Sequence, residues 1–153
     1  MSRFKDFVPA GVIPACLLPF DDDFAIDAAE YGKHLRDVAA VEGLAEITVN
    51  AHASEVHACT IEEQGRVLDL TMDEIGDRLP VVAGVYADSS LVAAGIAAMA
   101  ERRGASALLV FPPNSMIMGG QLRPEMALTH FRRIADADRS QIGTENLGHY
   151  PDA

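Results

Sequence analysis

The sequence predicts an α/β fold of four consecutive parallel β-strand–α-helix units, half of a (β/α)8 barrel of the TIM type. Three observations carry this expectation. Short apolar runs at 11–17, 45–50, 81–85 and 107–111 recur at roughly 30–40-residue spacing. Each is followed by a stretch whose apolar residues repeat with a helical period. The first run, Gly11 to Leu17, is continuously apolar rather than alternating, as strands buried on both faces of a parallel sheet are.

The first run, GVIPACL, ends at Pro19-Phe20 and the acidic turn Asp21-Asp22-Asp23. Asp27 can cap a helix reaching about Val41, with Tyr31, Leu35 and Val38 on one face and Gly43 as its closing residue. The second run, AEITVN, leads into a polar loop, 51–59, that carries His52 and His57. Thr60-Ile61-Glu62-Glu63 is a capping box: the Thr60 hydroxyl accepts from the Glu63 N–H while the Glu63 carboxylate reaches back. Its helix places Val67, Leu68, Met72 and Ile75 together, and Pro80 ends it before the third strand.

Ser89 can cap an alanine-rich third helix that Gly104 stops. After the fourth run, Pro112-Pro113 forbids further regular pairing and opens a long loop, 114–123, with Met116, Met118 and Gly119-Gly120. Pro124 suits a helix start, and Met126, Leu128, Phe131 and Ile134 mark the expected apolar face. From Asp138 onward the pattern lapses, with Gly143, Asn146, Gly148 and Pro151 and no run fit for a fifth strand. The expected organisation is an N-terminal segment at 1–10, a (βα)4 half-barrel at 11–137 and an irregular, disordered tail at 138–153.

At 153 residues the chain is long enough to bury a proper core, and 49% hydrophobic against 23% charged residues excludes wholesale disorder. A net charge of -11 repels phosphate backbones and anionic bilayers, so neither nucleic acid nor membrane is an expected partner. No apolar run approaches the ~18 residues of a membrane span, and the first residues lack a signal-peptide core. Cys16 and Cys59 stand far apart without CxxC spacing, which points to a reducing cytoplasm. No GxGxxG or P-loop pattern follows any strand, and no cofactor is expected.

Several motifs, taken in order, resemble the dihydrodipicolinate synthase / N-acetylneuraminate lyase family. They are Gly11-Val12-Ile13-Pro14-Ala15 with Pro19-Phe20, Gly43-Leu44, Asn50 to Glu55, Leu79-Pro80-Val81-Val82-Ala83-Gly84-Val85, Gly104-Ala105-Ser106-Ala107 and Pro112-Pro113. The resemblance covers 8–137 and marks the chain as the N-terminal half of a divergent member. It implies a barrel lyase that makes or cleaves 2-oxo acids through a Schiff base between a lysine and the pyruvate carbonyl, usually as a homo-oligomer. Family members are about twice as long, barrels needing ~200 residues or more.

Functional groups of such barrels sit at the C-terminal ends of strands. The family's second-strand loop, Gly-Thr-Thr-Gly-Glu, holds the substrate carboxylate; here it reads Ala51-His52-Ala53-Ser54-Glu55. The resemblance therefore makes His52, Ala53 and Ser54 substrate-binding candidates, with His52 able to donate to a carboxylate and Ser54 to do so through its hydroxyl. Glu55 is expected to bond loop N–H groups. After the fourth strand, Asn114-Ser115 stands where the family usually carries two tyrosines, one of them serving a proton relay across a subunit interface, and both residues join the candidate set.

The spacing His52-x-x-Glu55-x-His57 suggests a zinc site. A helix there would leave His57 off the face shared by the other two, and no metal is expected. Lysines occur only at Lys5, before the first strand, and Lys33, on the first helix. The family's Schiff-base lysine comes from the sixth strand, so no catalytic residue is expected within this chain. The leading expectation is a lyase half shortened near Ala137. The alternative is a non-catalytic half-barrel that pairs with another copy to close its sheet.

Overall fold

The computed structural model describes residues 4, 8–117 and 119–137. The expected tail at 138–153, most of the N-terminal segment and Met118 lie outside the described residues. Strands β1 (Ile47–Val49), β2 (Val81–Val85) and β3 (Ala107–Val110) form one parallel sheet in that order. Ile47 pairs with Val81 and Val82 with Ala107, which fixes the register. Helices α1 (Ala28–Ala39), α2 (Ile61–Ile75), α3 (Ser90–Arg102), α4 (Asn114–Ile117) and α5 (Pro124–Ala137) alternate with the strands. This is the architecture of a half-barrel.

The first expected strand is the main departure. Residues 12–16 run parallel to β1 but touch it through isolated bridges, Val12 with Leu44 and Ala15 with Thr48. Three steps on one side match four on the other, so the pairing carries a one-residue bulge. Pro14 explains the gap: its carbonyl accepts from Thr48 N at 2.8 Å, but it has no N–H to return. The segment still lies where a parallel edge strand belongs.

Helix ends follow the local chemistry. Asp27 accepts from the N–H groups of Ala29 and Glu30, the Thr60–Glu63 capping box is complete, and Ser89 accepts from Val92 N. Gly104, at φ +99, turns the chain out of α3. The loop expected at 114–123 is more ordered than its glycines and prolines suggested. It holds α4 and a 3-10 turn, Gly120–Leu122, with the Asn114 N–H bonded to Asp88 Oδ1 at 2.8 Å.

The core fills the layer between sheet and helices. Tyr31 and Leu35 of α1 and Val67, Leu68 and Ile75 of α2 pack on Ile47, Val49, Val81 and Ala83, with Cys16 and Leu18 beside them. Burying each large side chain is worth about 1.5–3 kcal/mol. Within this layer Thr71 gives its proton to Val67 O, so the Tyr31 phenol is the donor to Thr71 Oγ1 at 2.8 Å and locks α1 to α2.

A second cluster joins Val85, Ala93, Ile96, Ala97 and Ile134 where α5 packs on α3. The face of α5 differs from its apolar periodicity. His130 and Ile134 are buried, while Met126 and Leu128 stay exposed. A Ser90 Oγ–His130 Nδ1 hydrogen bond of 2.9 Å lets the imidazole occupy the buried stripe, which apolar counting alone misses. Burial holds the His130 pKa below its ordinary value.

Candidate functional site

The C-terminal ends of β1, β2 and β3 and the loops that leave them form one rim. Asn50, in the left-handed region at φ +53, turns the chain away from β1, and its side-chain amide donates to Gln64 O at 2.9 Å. Gln64 in turn donates from Nε2 to Cys59 O at 3.2 Å, so α2 grips both ends of the 51–59 loop. Gly84 makes the crossing possible: a Cβ there would lie 1.9 Å from the Asn50 carbonyl oxygen. Only glycine fits.

Residues His52–Ser54 form a 3-10 turn, and Glu55 closes it in the left-handed region at φ +51. The Glu55 N–H bonds His52 O at 3.0 Å, whereas its carboxylate makes no hydrogen bond with any described residue. The loop N–H that Glu55 does accept, from Ala58 at 2.8 Å, goes to its backbone carbonyl rather than its carboxylate. Ser54 is buried and its hydroxyl donates to Cys16 O at 2.7 Å. In this conformation its proton pins the loop to the first segment and is not available to a ligand. Ala53 and Ser115 are exposed on the rim.

Four rings from three loops meet here. His52 stands edge-on to Phe111, with ring centroids 4.2 Å apart, and lies 4.8 Å from His57. His57 meets the Tyr86 ring edge-on at 4.2 Å. The Asn114 side-chain amide donates to the Tyr86 phenol oxygen at 2.6 Å. The turn at 52–54 thus brings His57 beside His52, which a regular helix would have kept apart. Among the described residues no group of three or more His, Cys, Asp or Glu side chains is placed to hold a metal ion.

Of the residues expected at the site, His52 and Asn114 fall within this cluster. Tyr86, Phe111 and Asp88 complete it and were given no binding role from sequence, and His57 joins them after being weighed only as a metal ligand. Their signal was position: Tyr86 and Phe111 are the first residues beyond β2 and β3.

Both thiols are favoured in their protonated form. Burial pushes the Cys16 thiol up to about 11, and burial with the Glu63 and Glu55 carboxylates raises that of Cys59. Both cysteines are unbridged. Lys33 is exposed on α1, 3.5 Å from Glu30. Lys5 lies outside the described residues.

Parallel strands with covering helices, and polar groups gathered at the strands' carboxyl ends, define a protein of the β/α-barrel class. The dihydrodipicolinate synthetase family model matches residues 8–142. The chain belongs to that family, a family of lyases. It is 31% identical over 129 residues to a 4-hydroxy-tetrahydrodipicolinate synthase of Gluconacetobacter diazotrophicus, covering 83% of this chain and 41% of that protein. It is 33% identical to an uncharacterized DapA-like lyase of Halobacterium salinarum, again over 83% of this chain and 40% of the relative.

Among solved structures, a dihydrodipicolinate synthase from Bacillus anthracis superposes with a TM-score of 0.75 at 23% identity, over 93% of this chain and 45% of that one. The Aquifex aeolicus dihydrodipicolinate synthase gives 0.76 at 24% identity, over 86% and 43%. The chain thus spans less than half the length of the curated relatives it matches. No helix among the described residues is long and apolar enough to cross a membrane.

Proposed function

We propose that this chain supplies the substrate-loop half of a Schiff-base lyase acting on pyruvate or another 2-oxo acid, and that the reactive amine comes from strands it does not contain. The rim supports this. It gathers hydrogen-bonding groups, His52, His57, Tyr86 and Asn114, at three strand ends and no amine among them. A Schiff-base enzyme needs a desolvated, deprotonated lysine beside the bound carbonyl, and solvent-exposed Lys33 in its ion pair with Glu30 is not desolvated.

In this reading His52 and Asn114 face the ligand, Ala53 and Ser115 line the rim, and Ser54 shapes the loop from behind. The two unbridged thiols fit a reducing compartment, and we place the chain in the cytoplasm.

Incubation with pyruvate and borohydride, read by intact mass, tests the assignment. The chain alone should give no covalent adduct. A stoichiometric mass increase mapped to Lys33 would overturn the placement of the amine.

A second reading, a half-barrel that closes its sheet against another copy, is favoured by the apolar side chains exposed at both sheet edges: Ile13 and Leu17 on the first segment, Leu109 on β3. Size-exclusion chromatography with light scattering separates the two readings, a folded symmetric dimer supporting the second.

A further inference from the structure

We propose that Tyr86 is the hydrogen-bond donor that recognises the ligand's carboxylate at this rim, and that Asn114 and His57 hold it for that task. This deepens the 2-oxo acid reading and rests on it.

The donor is defined by what its partner cannot do. An amide nitrogen only donates, so in the 2.6 Å contact between Asn114 Nδ2 and Tyr86 Oη the phenol oxygen is the acceptor. Its own O–H stays unengaged, since Tyr86 makes no other hydrogen bond among the described residues. A hydroxyl that accepts one hydrogen bond donates the next more strongly, because the chain of dipoles is cooperative.

The phenol is also fixed. Asn114 is tied by its backbone N–H to Asp88 Oδ1 at 2.8 Å, two residues beyond Tyr86, so the loops after β2 and β3 brace each other twice. The His57 ring stands edge-on to the Tyr86 ring, interplanar angle 83°, and is followed by His52 and Phe111. A ring held between an imidazole and an amide loses little freedom on binding, which favours affinity.

The same groups select the class of ligand. A phenol and two imidazoles offer O–H and N–H donors to an anionic oxygen, and no Arg or Lys stands among them to neutralise a dianion. Of the carboxylates on these loops, Asp88 accepts the Asn114 N–H and Glu55 is exposed at the end of the 52–54 turn. Such a site suits a small monoanionic carboxylate and disfavours phosphate.

Aromatic-ring NMR of the full chain, titrated with pyruvate and separately with inorganic phosphate at constant ionic strength, tests the assignment. The expected result is a saturable shift of the Tyr86 and His57 ring signals with pyruvate and none with phosphate. Tyr86→Phe keeps the ring against His57 and should weaken pyruvate binding at least about tenfold, the scale of one hydrogen bond to a charged group, with an unchanged melting temperature. Asn114→Asp should weaken it similarly, because a carboxylate accepts the phenol's proton, and the double variant should lose little more. Wild-type affinity in Tyr86→Phe would overturn the role of Tyr86 and leave the 2-oxo acid reading standing. No saturable response of the wild type to pyruvate would overturn both, and equal responses to phosphate would overturn carboxylate selection.

Discussion

The centre of the sheet and its edges are built to different standards. Every residue of β1 and β2 is buried, including Thr48 and Val82, whose neighbours in sequence pack toward the helices. At the edges the pattern breaks: Leu109 of β3 is 38% exposed, and Ile13 and Leu17 of the first segment are 38% and 59% exposed. The apolar content of the edges matches that of the centre, so composition does not set the difference. What differs is whether a neighbour is present. Among the described residues, no strand lies beyond β3 or beyond the 12–16 segment to cover these side chains.

The sharpest break in this comparison is Gly84→Ala. A methyl group on the central strand would overlap the Asn50 carbonyl at 1.9 Å, and backbone on both sides cannot yield easily. We expect a loss of at least about 3 kcal/mol in urea denaturation, together with loss of the ordered 51–59 loop. Wild-type stability would mean that Asn50 does not cross over β2 as described.

Next comes Leu35→Ala, which empties a fully buried position under β1. Deleting such a side chain costs about 2–5 kcal/mol through lost transfer energy and the residual cavity. A cost below about 1 kcal/mol would show that α1 packs loosely and that the centre is no better sealed than the edges.

Glu46 probes the centre differently. It immediately precedes β1, is buried, and has neither carboxylate oxygen bonded, so burial pushes its pKa from 4.5 up to about 7. Between those values the folded chain holds a proton that the unfolded chain releases. Stability from this group is therefore present below about pH 4.5 and is lost as pH rises through 7. Glu46→Gln should gain on the order of 2 kcal/mol at pH 8 and almost nothing at pH 4.5, checked by denaturant titrations at both. An equal effect at the two values would show that the carboxylate is not enclosed.

The sequence was most legible where local chemistry decides. Asp27, Thr60, Glu63 and Ser89 announce helix starts because capping needs only neighbours along the chain, and β2 was bounded to the residue by Pro80 before it. Less legible were features set by distant partners. The bulge in 44–48 depends on Pro14 in the segment opposite it, and the burial of His130 depends on Ser90, forty residues away. At the rim, family spacing pointed to His52 and Asn114, and the structure brings both into one cluster. Tyr86 gave no such signal, because its contact with Asn114 joins two loops that lie far apart in the sequence. Ser54 suits a ligand by type, and its bond to Cys16 O, thirty-eight residues away along the chain, is likewise set by a distant partner.

The smallest expected effects lie at the edges. Leu17→Ala and Leu109→Ala remove apolar area that already faces solvent, so each should change the stability of a monomer by no more than about 0.5 kcal/mol. The measurement becomes decisive when repeated across protein concentration. If copies close the sheet, the two leucines become interior and stability rises with concentration by mass action. Both substitutions would then lower the concentrated sample by far more than the dilute one, and by similar amounts, because each edge of one copy would meet an edge of the other. A concentration-independent, near-zero effect at both positions points instead to edges that stay open until strands of a different sequence cover them. That outcome fits a barrel whose second half brings the amine.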